Sequence, residues 1–286
     1  NHPHGEVKNI RFAFVVNLLF AIIEVIGGIM TNSMAILADA VHDLGDSFSL
    51  GAAWFFEKYS HKKSNERFTY GYRRFSLLGA LINASILLGG TLFILFKIAD
   101  RLNQPTDVHA EGMFLLALLG IGVNGLAVIR LRKNGSMNSR MVMLHLMEDV
   151  LGWVAVLIAG VVIYFTGWNA IDVWLSLAIA IWVIYNAAKG FIHVMKLLMQ
   201  AVPDDFDFQT VKTQLNSLPG IANVHKLHVW SLDGQHHVAS VHVVTDYEHN
   251  KADAEIRQQI GSVLKANHIE EVNVQIETPE EAILCK

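Results

Sequence analysis

The feature that most constrains this sequence is a series of long apolar stretches in its first 200 residues. A helix needs about 20 mostly apolar residues to cross the hydrocarbon core of a bilayer. A buried core of such helices in a soluble protein would need long polar helices to cover it, and this part of the sequence contains none. The sequence therefore predicts an α-helical membrane protein with six transmembrane helices, at 12–30, 34–56, 75–99, 112–129, 141–165 and 173–199.

Composition supports membrane lipid as a partner and argues against nucleic acid. Hydrophobic residues make up 52% of the chain and charged residues only 17%, which is too few to cover a surface in water. The formal net charge is −4 and no basic stripe is present, so a phosphate backbone has no complementary surface. The single cysteine, Cys285, excludes an internal disulfide. A metal site must therefore use histidine and carboxylate ligands.

The distribution of Lys and Arg predicts the orientation, because cytoplasmic loops carry an excess of these residues. The loop after the second stretch holds six of them and the loop after the fourth holds four, whereas the intervening loops are neutral or acidic. Both basic loops are expected to be cytoplasmic. With six spans, both termini then face the cytoplasm of a multi-pass membrane protein.

The composition changes at Pro203. Residues 203–286 contain 13 of the 26 acidic residues and the short alternating patterns of a soluble domain. We therefore predict a transmembrane domain over 1–202 and a cytoplasmic α/β domain of ferredoxin-like architecture over 203–286. Its predicted elements are a helix at 208–218, a strand at 223–232, a turn at 233–234, a strand at 237–244, a helix at 251–267 and a strand at 271–277.

Ionisable residues inside two of the apolar stretches are the first candidates for function. His42 and Asp46 are four residues apart in the second stretch, so they lie one turn apart on one helix face. The fifth stretch repeats the spacing with His145 and Asp149. Two imidazoles and two carboxylates form a complete tetrahedral shell for a divalent ion such as zinc. The sequence predicts a metal site made of these four residues.

Two other roles remain open for these polar residues. Each pair could hydrogen-bond within the membrane and hold helices together, although the repetition of the spacing in two stretches favours a metal site. Asp39, Asp43 and Glu148 lie beside the pairs. They are expected to orient ligands or relay protons rather than to bind the metal.

The tail contains a second group of candidate ligands. Several histidines fall on the predicted hairpin and just after it, in a small acidic domain. Alternation along a strand places His228 and Trp230 on one face, with His242 near them on the next strand. A cytoplasmic metal site is the hypothesis, with His225, His228, His242 and His249 as its candidate ligands; ordinary solvated histidines are the alternative.

The sequence lacks the motifs of several enzyme classes. The sequence has no G-x-x-x-x-G-K-[ST] phosphate loop, no H-E-x-x-H and no G-x-S-x-G. We therefore expect a protein that is not an enzyme.

These motifs together resemble the cation diffusion facilitator family of zinc transporters. The resemblance runs nearly end to end, and its most specific elements are the paired H-x-x-x-D and the strand His225-Lys226-Leu227-His228-Val229-Trp230. It implies that His42, Asp46, His145 and Asp149 form the transport site, that the protein is a homodimer, and that the tail is a metallochaperone-like regulatory domain.

The sequence also departs from the family pattern. Residues 275–279 lack the histidine that some relatives use for a tail site. The loop 130–140 lacks the histidine-rich insert common in eukaryotic relatives. The second departure favours a bacterial inner-membrane protein.

The expected function is proton-coupled zinc export. Histidine binds zinc only when it is neutral, and its ordinary pKa is about 6.5, so zinc and protons compete for such a site. Alternating access would then let a proton gradient drive zinc out of the cytoplasm. Two alternatives are a membrane-anchored metal sensor that does not transport and a subunit that depends on an ATP-hydrolysing partner.

Overall fold

The computed structural model describes residues 3–60, 62–103, 106–131, 137–245 and 253–284. Its first part consists of six long helices, one for each predicted stretch: α1 (Pro3–Thr31), α2 (Met34–Ser60), α3 (Phe75–Asn103), α4 (Ala110–Leu131), α5 (Met137–Thr166) and α6 (Ala170–Leu198).

Within the described residues, four helices, α3 to α6, are long and apolar enough to cross a membrane. In the described part of α1, the apolar portion Asn17–Thr31 is shorter, and α2 carries the ionisable residues noted above. Many large apolar side chains of the helices are exposed, which is the surface expected against lipid. They include Ile29, Phe93, Phe96, Leu115, Leu126, Leu151 and Phe165. The first part is thus a helical transmembrane domain with at least four spans.

Contacts divide the chain into two compact units. The first comprises Asn1–Lys58 and Gly79–Phe191, and the second comprises Tyr59–Leu78 and Ile192–Lys286. The segment Tyr59–Leu78 and the last turns of α6 therefore belong with the second unit.

Close packing of α4 against α5 organises the first unit. The indole of Trp153 lies over Gly120, and a Cβ atom at position 120 would be 2.3 Å from Trp153 Cδ2. Trp153 is only 1% exposed and also meets the ring of Phe20 from α1 edge-on, with ring centroids 5.9 Å apart. The absence of a side chain at Gly120 therefore makes room for Trp153, the largest buried side chain of this core.

We predict that Gly120→Ala destabilises the protein. The added methyl group would force Trp153 to move, and overpacking of this kind costs about 1–3 kcal/mol. Gly122→Ala is the matched control, because among the described residues a Cβ atom there would meet nothing within 4 Å beyond the local backbone of its own helix. Thermal unfolding in detergent measures both variants; equal melting temperatures would contradict this account of the α4–α5 packing.

The second unit contains the predicted α/β domain. Its elements are α7 (Phe208–Asn216), β1 (Ile221–Ser231), β2 (His237–Thr245), α8 (Asp253–Ala266), β3 (Ile269–Glu277) and a short α9 (Pro279–Leu284). The sheet order is β1-β2-β3, with β1 antiparallel and β3 parallel to β2. Both α7 and α8 bury their apolar faces against the sheet in one core. The two-layer α/β fold class is confirmed.

The hairpin between β1 and β2 is fixed by Asp233. Its carboxylate accepts hydrogen bonds from the backbone N–H groups of Gln235 and His236, at 2.9 and 2.8 Å, and pairs with the His236 ring at 2.7 Å. Partial burial opposes ionisation, but these bonds outweigh it and hold the pKa of Asp233 below its ordinary value. Gly234 follows with a φ of +94°, which glycine adopts without strain.

Candidate metal centres

The first candidate centre begins with the pair on α2. His42 Nε2 lies 3.6 Å from Asp46 Oδ2, as expected for residues one helical turn apart. The two side chains are 15% and 23% exposed, so they are neither in open solvent nor sealed in the core. The pair presents one imidazole nitrogen and one carboxylate from a single helix face.

Helix α5 supplies a further carboxylate to the same place. His42, Asp43 and Asp149 each offer a ligand atom, and these atoms lie within 4.8 Å of one another. Asp43 is buried, and the sequence had assigned it an accessory role. The side chain of His145 lies outside the described residues; its backbone belongs to α5, one turn before Asp149. The structure thus brings ligand atoms of α2 and α5 together.

Helices α2 and α5 also share a buried apolar cluster. A Cβ atom at Gly152 of α5 would lie 3.9 Å from Asp39 Oδ1 of α2, with nothing nearer. Ala35 and Ile36 of α2 are fully buried in one cluster with Trp153 and its neighbours on α5. The α2–α5 contact therefore continues from the apolar core to the polar centre.

Trp182 of α6 contacts the candidate ligand His42. The two rings meet edge-on, with centroids 5.2 Å apart and an interplanar angle of 83°. This geometry is favourable for aromatic pairs, and it restricts the orientation of the imidazole. Sequence reasoning did not find Trp182, because the contact joins residues that are 140 positions apart.

We predict that Trp182→Leu weakens zinc binding about fivefold, since an edge-on aromatic pair contributes about 0.5–1.5 kcal/mol and the freed imidazole must be ordered again on binding. Trp174→Leu is the control, because Trp174 lies on the same helix and is 56% exposed. Zinc titration calorimetry of the purified protein measures both. Unchanged affinity in Trp182→Leu would contradict the positioning role.

The second candidate centre lies in the α/β domain. Glu277 at the end of β3 is 2% exposed, and its carboxylate contacts two imidazoles. Oε2 lies 2.7 Å from His225 Nε2, and Oε1 lies 2.6 Å from His242 Nδ1. Gln275 Nε2 also donates to Oε1 at 2.8 Å. The ligand atoms of the three residues lie within 4.8 Å of one another, so they form a compact two-histidine, one-carboxylate set.

An irregularity in β1 explains this grouping. The register shifts between Val224 and Lys226, so His225 falls at a bulge. Simple alternation grouped His228 with His242, but Lys226 is the residue paired with His242, and His228 is opposite Ser240. Among the described residues, the cluster therefore contains His225 and His242 but not the exposed His228. His249 lies outside the described residues.

Comparisons with known proteins agree with the helical domain and the tail. A model described as "Cation efflux transmembrane domain" matches residues 10–199, and one described as "Cation efflux protein, cytoplasmic domain" matches residues 203–279. The chain belongs to the cation diffusion facilitator family. It is a multi-pass membrane transporter of the metal cation efflux type and not an enzyme, and the match to the family's cytoplasmic dimerisation domain supports the predicted homodimer.

Individual relatives match over nearly the whole chain. The "Cadmium, cobalt and zinc/H(+)-K(+) antiporter" of Bacillus subtilis is 34% identical, over 100% of this chain and 95% of its own length. The "Metal cation efflux system protein CzcD" of Cupriavidus metallidurans is 32% identical, over 94% and 87%. The "Zinc transporter ZitB" of Escherichia coli is 30% identical, over 96% and 88%.

Solved structures also match part of the chain, and one of them is an isolated domain. It is the metal-bound C-terminal domain of the CzcD transporter from Cupriavidus metallidurans, 30% identical, covering 25% of this chain and 97% of that one, with a TM-score of 0.21.

Proposed function

We propose that the chain is a proton-coupled zinc exporter that moves zinc out of the cytoplasm through a site made of His42, Asp46, His145 and Asp149. The observation that carries this proposal is the meeting of α2 and α5, which brings ligand atoms of His42 and Asp149 within 4.8 Å inside an apolar helical domain. The names of the relatives, which include zinc transporters and a zinc antiporter, support it.

The donor set fits zinc as the substrate. Two imidazoles and two carboxylates suit a borderline divalent ion that prefers four ligands, whereas magnesium and calcium prefer shells made of oxygen. Cobalt and cadmium accept similar ligands, and one relative is named for them. We therefore propose zinc as the main substrate and these ions as secondary substrates.

Competition at the imidazoles supplies the proton coupling. A protonated imidazole has no lone pair for zinc, so arrival of a proton at a ligand lowers zinc affinity, and arrival of zinc releases protons. If the site opens to the two sides in turn, an inward proton gradient drives zinc outward. Zinc and protons would thus be exchanged at the same imidazole side chains.

The proposed setting is a bacterial inner membrane that α1 and α2 cross together with the four clearly apolar helices. The basic loops then lie in the cytoplasm, with both termini and the domain 203–286. The cytoplasmic position of this domain exposes its candidate metal centre to the zinc pool that an exporter must control.

We predict that Asp149→Ala removes zinc tolerance from cells that depend on this protein. Loss of a carboxylate ligand leaves the shell incomplete. Asp100→Ala is the control, because Asp100 is an exposed acidic residue on α3 that the proposed site does not use. Growth in a zinc series, with protein levels matched by immunoblot, measures the effect. Tolerance retained in Asp149→Ala would contradict transport through this site and favour the membrane-anchored sensor.

A second function is proposed for the cytoplasmic cluster. Its two imidazoles and one carboxylate suit zinc, their ligand atoms are already close together, and Glu277 is a buried carboxylate bonded to both rings. His225, His242 and Glu277 would hold a regulatory zinc ion, which would tie the bulge of β1 to the end of β3. A zinc ion bound here can change the conformation of the membrane domain only if zinc binds more tightly to one of two conformations of the protein than to the other.

We predict that Glu277→Gln lowers the number of zinc ions bound per protomer by one. The neutral amide is a poor zinc ligand, whereas its size matches that of the carboxyl group. Glu271→Gln, an exposed position on the same strand, serves as the control. Equilibrium dialysis of the full chain with metal analysis gives the count. An unchanged count with a lower melting temperature would assign Glu277 a structural role only.

A further inference from the structure

A buried carboxylate of α6 binds the first turn of α2. Asp172 Oδ1 accepts from Ser33 Oγ at 2.5 Å and from the backbone N–H of Ala35 at 3.2 Å, and Oδ2 accepts from the backbone N–H of Met34 at 2.7 Å. All four residues are at most 3% exposed. We call this group of four residues the latch.

Asp172 is not needed to begin α2. Ser33 caps its own helix, because its Oγ accepts from the backbone N–H of Ile36 at 3.2 Å. The carboxylate of Asp172 is therefore a second cap that comes from a different helix. Its effect is to tie α2 to α6, since hydrogen bonds to a charged group are about twice as strong as neutral ones.

An apolar seam between α2 and α6 follows the latch. Met34 and Ala38 of α2 are buried with Val173 and Ala180 of α6 in one cluster, which Ile94 and Ile98 of α3 complete. One turn beyond Ala38, His42 meets Trp182 of the same helix α6. The latch, the seam and the candidate transport site thus lie in order along one helix pair.

The turn before α2 is held from α3 as well. Arg101 donates to the carbonyl oxygen and to the side-chain oxygen of Asn32. Asn32 in turn donates to the carbonyl oxygen of Asp107 at 2.8 Å. This end of the helical unit is therefore closed by polar contacts in the present structure, around the same turn to which Asp172 is bound.

We propose that Asp172 is a positioning residue that latches this end of the α2–α6 seam and that the latch must open when the transport site is exposed to that side. The proposal rests on the proposed transport function. Alternating access requires the path on each side of the site to open in turn. The latch suits such a gate, because α2 keeps its own serine cap when Asp172 is withdrawn and water can then solvate the released carboxylate.

The test measures access to a reporter cysteine behind the latch. In a Cys285→Ser background, Ala38→Cys places one thiol between the latch and His42. A membrane-impermeant maleimide is applied separately to each side of vesicles that contain this protein. We expect Asp172→Asn to raise the labelling rate at least fivefold from one side, because the amide lacks the charge and part of the acceptor capacity of the carboxylate. Zinc affinity should change by less than twofold, because every proposed metal ligand is still present.

Asp107→Asn is the matched control. Asp107 is an exposed carboxylate at the same end, where its Oδ1 accepts from Asn169 at 3.0 Å. If Asp172→Asn fails to fold, labelling of the parent with the reporter remains as the test. In the parent with the reporter, labelling from that side should also increase during zinc turnover under a pH gradient.

The outcomes separate this proposal from the proposed function. A parent that transports zinc, together with an Asp172→Asn variant that labels at the parental rate, would overturn the latch and leave transport standing. Labelling that stays constant during turnover would also overturn it, because α2 and α6 would then move as one body. A parent without zinc flux would overturn the proposed function itself.

Discussion

Ionisable side chains inside apolar helices are the constraint on which this structure depends. A charged group at the centre of a bilayer costs about 2.5–3.5 kcal/mol on insertion scales. Helix α2 nevertheless carries Asp39, His42, Asp43 and Asp46 within one membrane-length segment, and α1 adds the fully buried Glu24. Such groups persist only where partners or cations compensate them, so the helices around α2 are arranged to bring those partners together.

The neighbours of α2 divide this task. Helix α5 brings Asp149 to the polar centre. Helix α6 contacts α2 at both ends of an apolar seam, through Asp172 at the first turn and through Trp182 at the candidate ligand His42. Helix α6 thus holds the start of α2 through Asp172 and restricts the orientation of the ligand His42 through Trp182, at two separate contacts.

Patterns within one element were predictable from the sequence. The six long helices, the α-β-β-α-β order and the pairing of His42 with Asp46 follow from hydropathy, alternation and helical spacing, all of which act over a few residues. The short helix α9 was missed although its start has a local signal: Thr278 and Glu281 exchange hydrogen bonds as a capping box.

Features that depend on how distant elements meet were not predictable in the same way. The bulge at His225 moved that residue into a cluster with His242 and left His228 outside it, which a strict period of two does not anticipate. Glu277 also belongs to the cluster, although the sequence of its strand indicates only that a histidine is absent there. Trp182 and Asp172 act on α2 from across the bundle, so only the fold shows their roles.

The most direct test of the central claim is zinc flux in proteoliposomes that contain only this protein, with and without an imposed pH gradient, for the parent and for His42→Ala. The account predicts flux in the parent that increases with the inward proton gradient and falls to the level of empty liposomes in the variant. Gradient-dependent flux that survives in His42→Ala, or a parent that binds zinc without moving it, would contradict transport through the α2–α5 site.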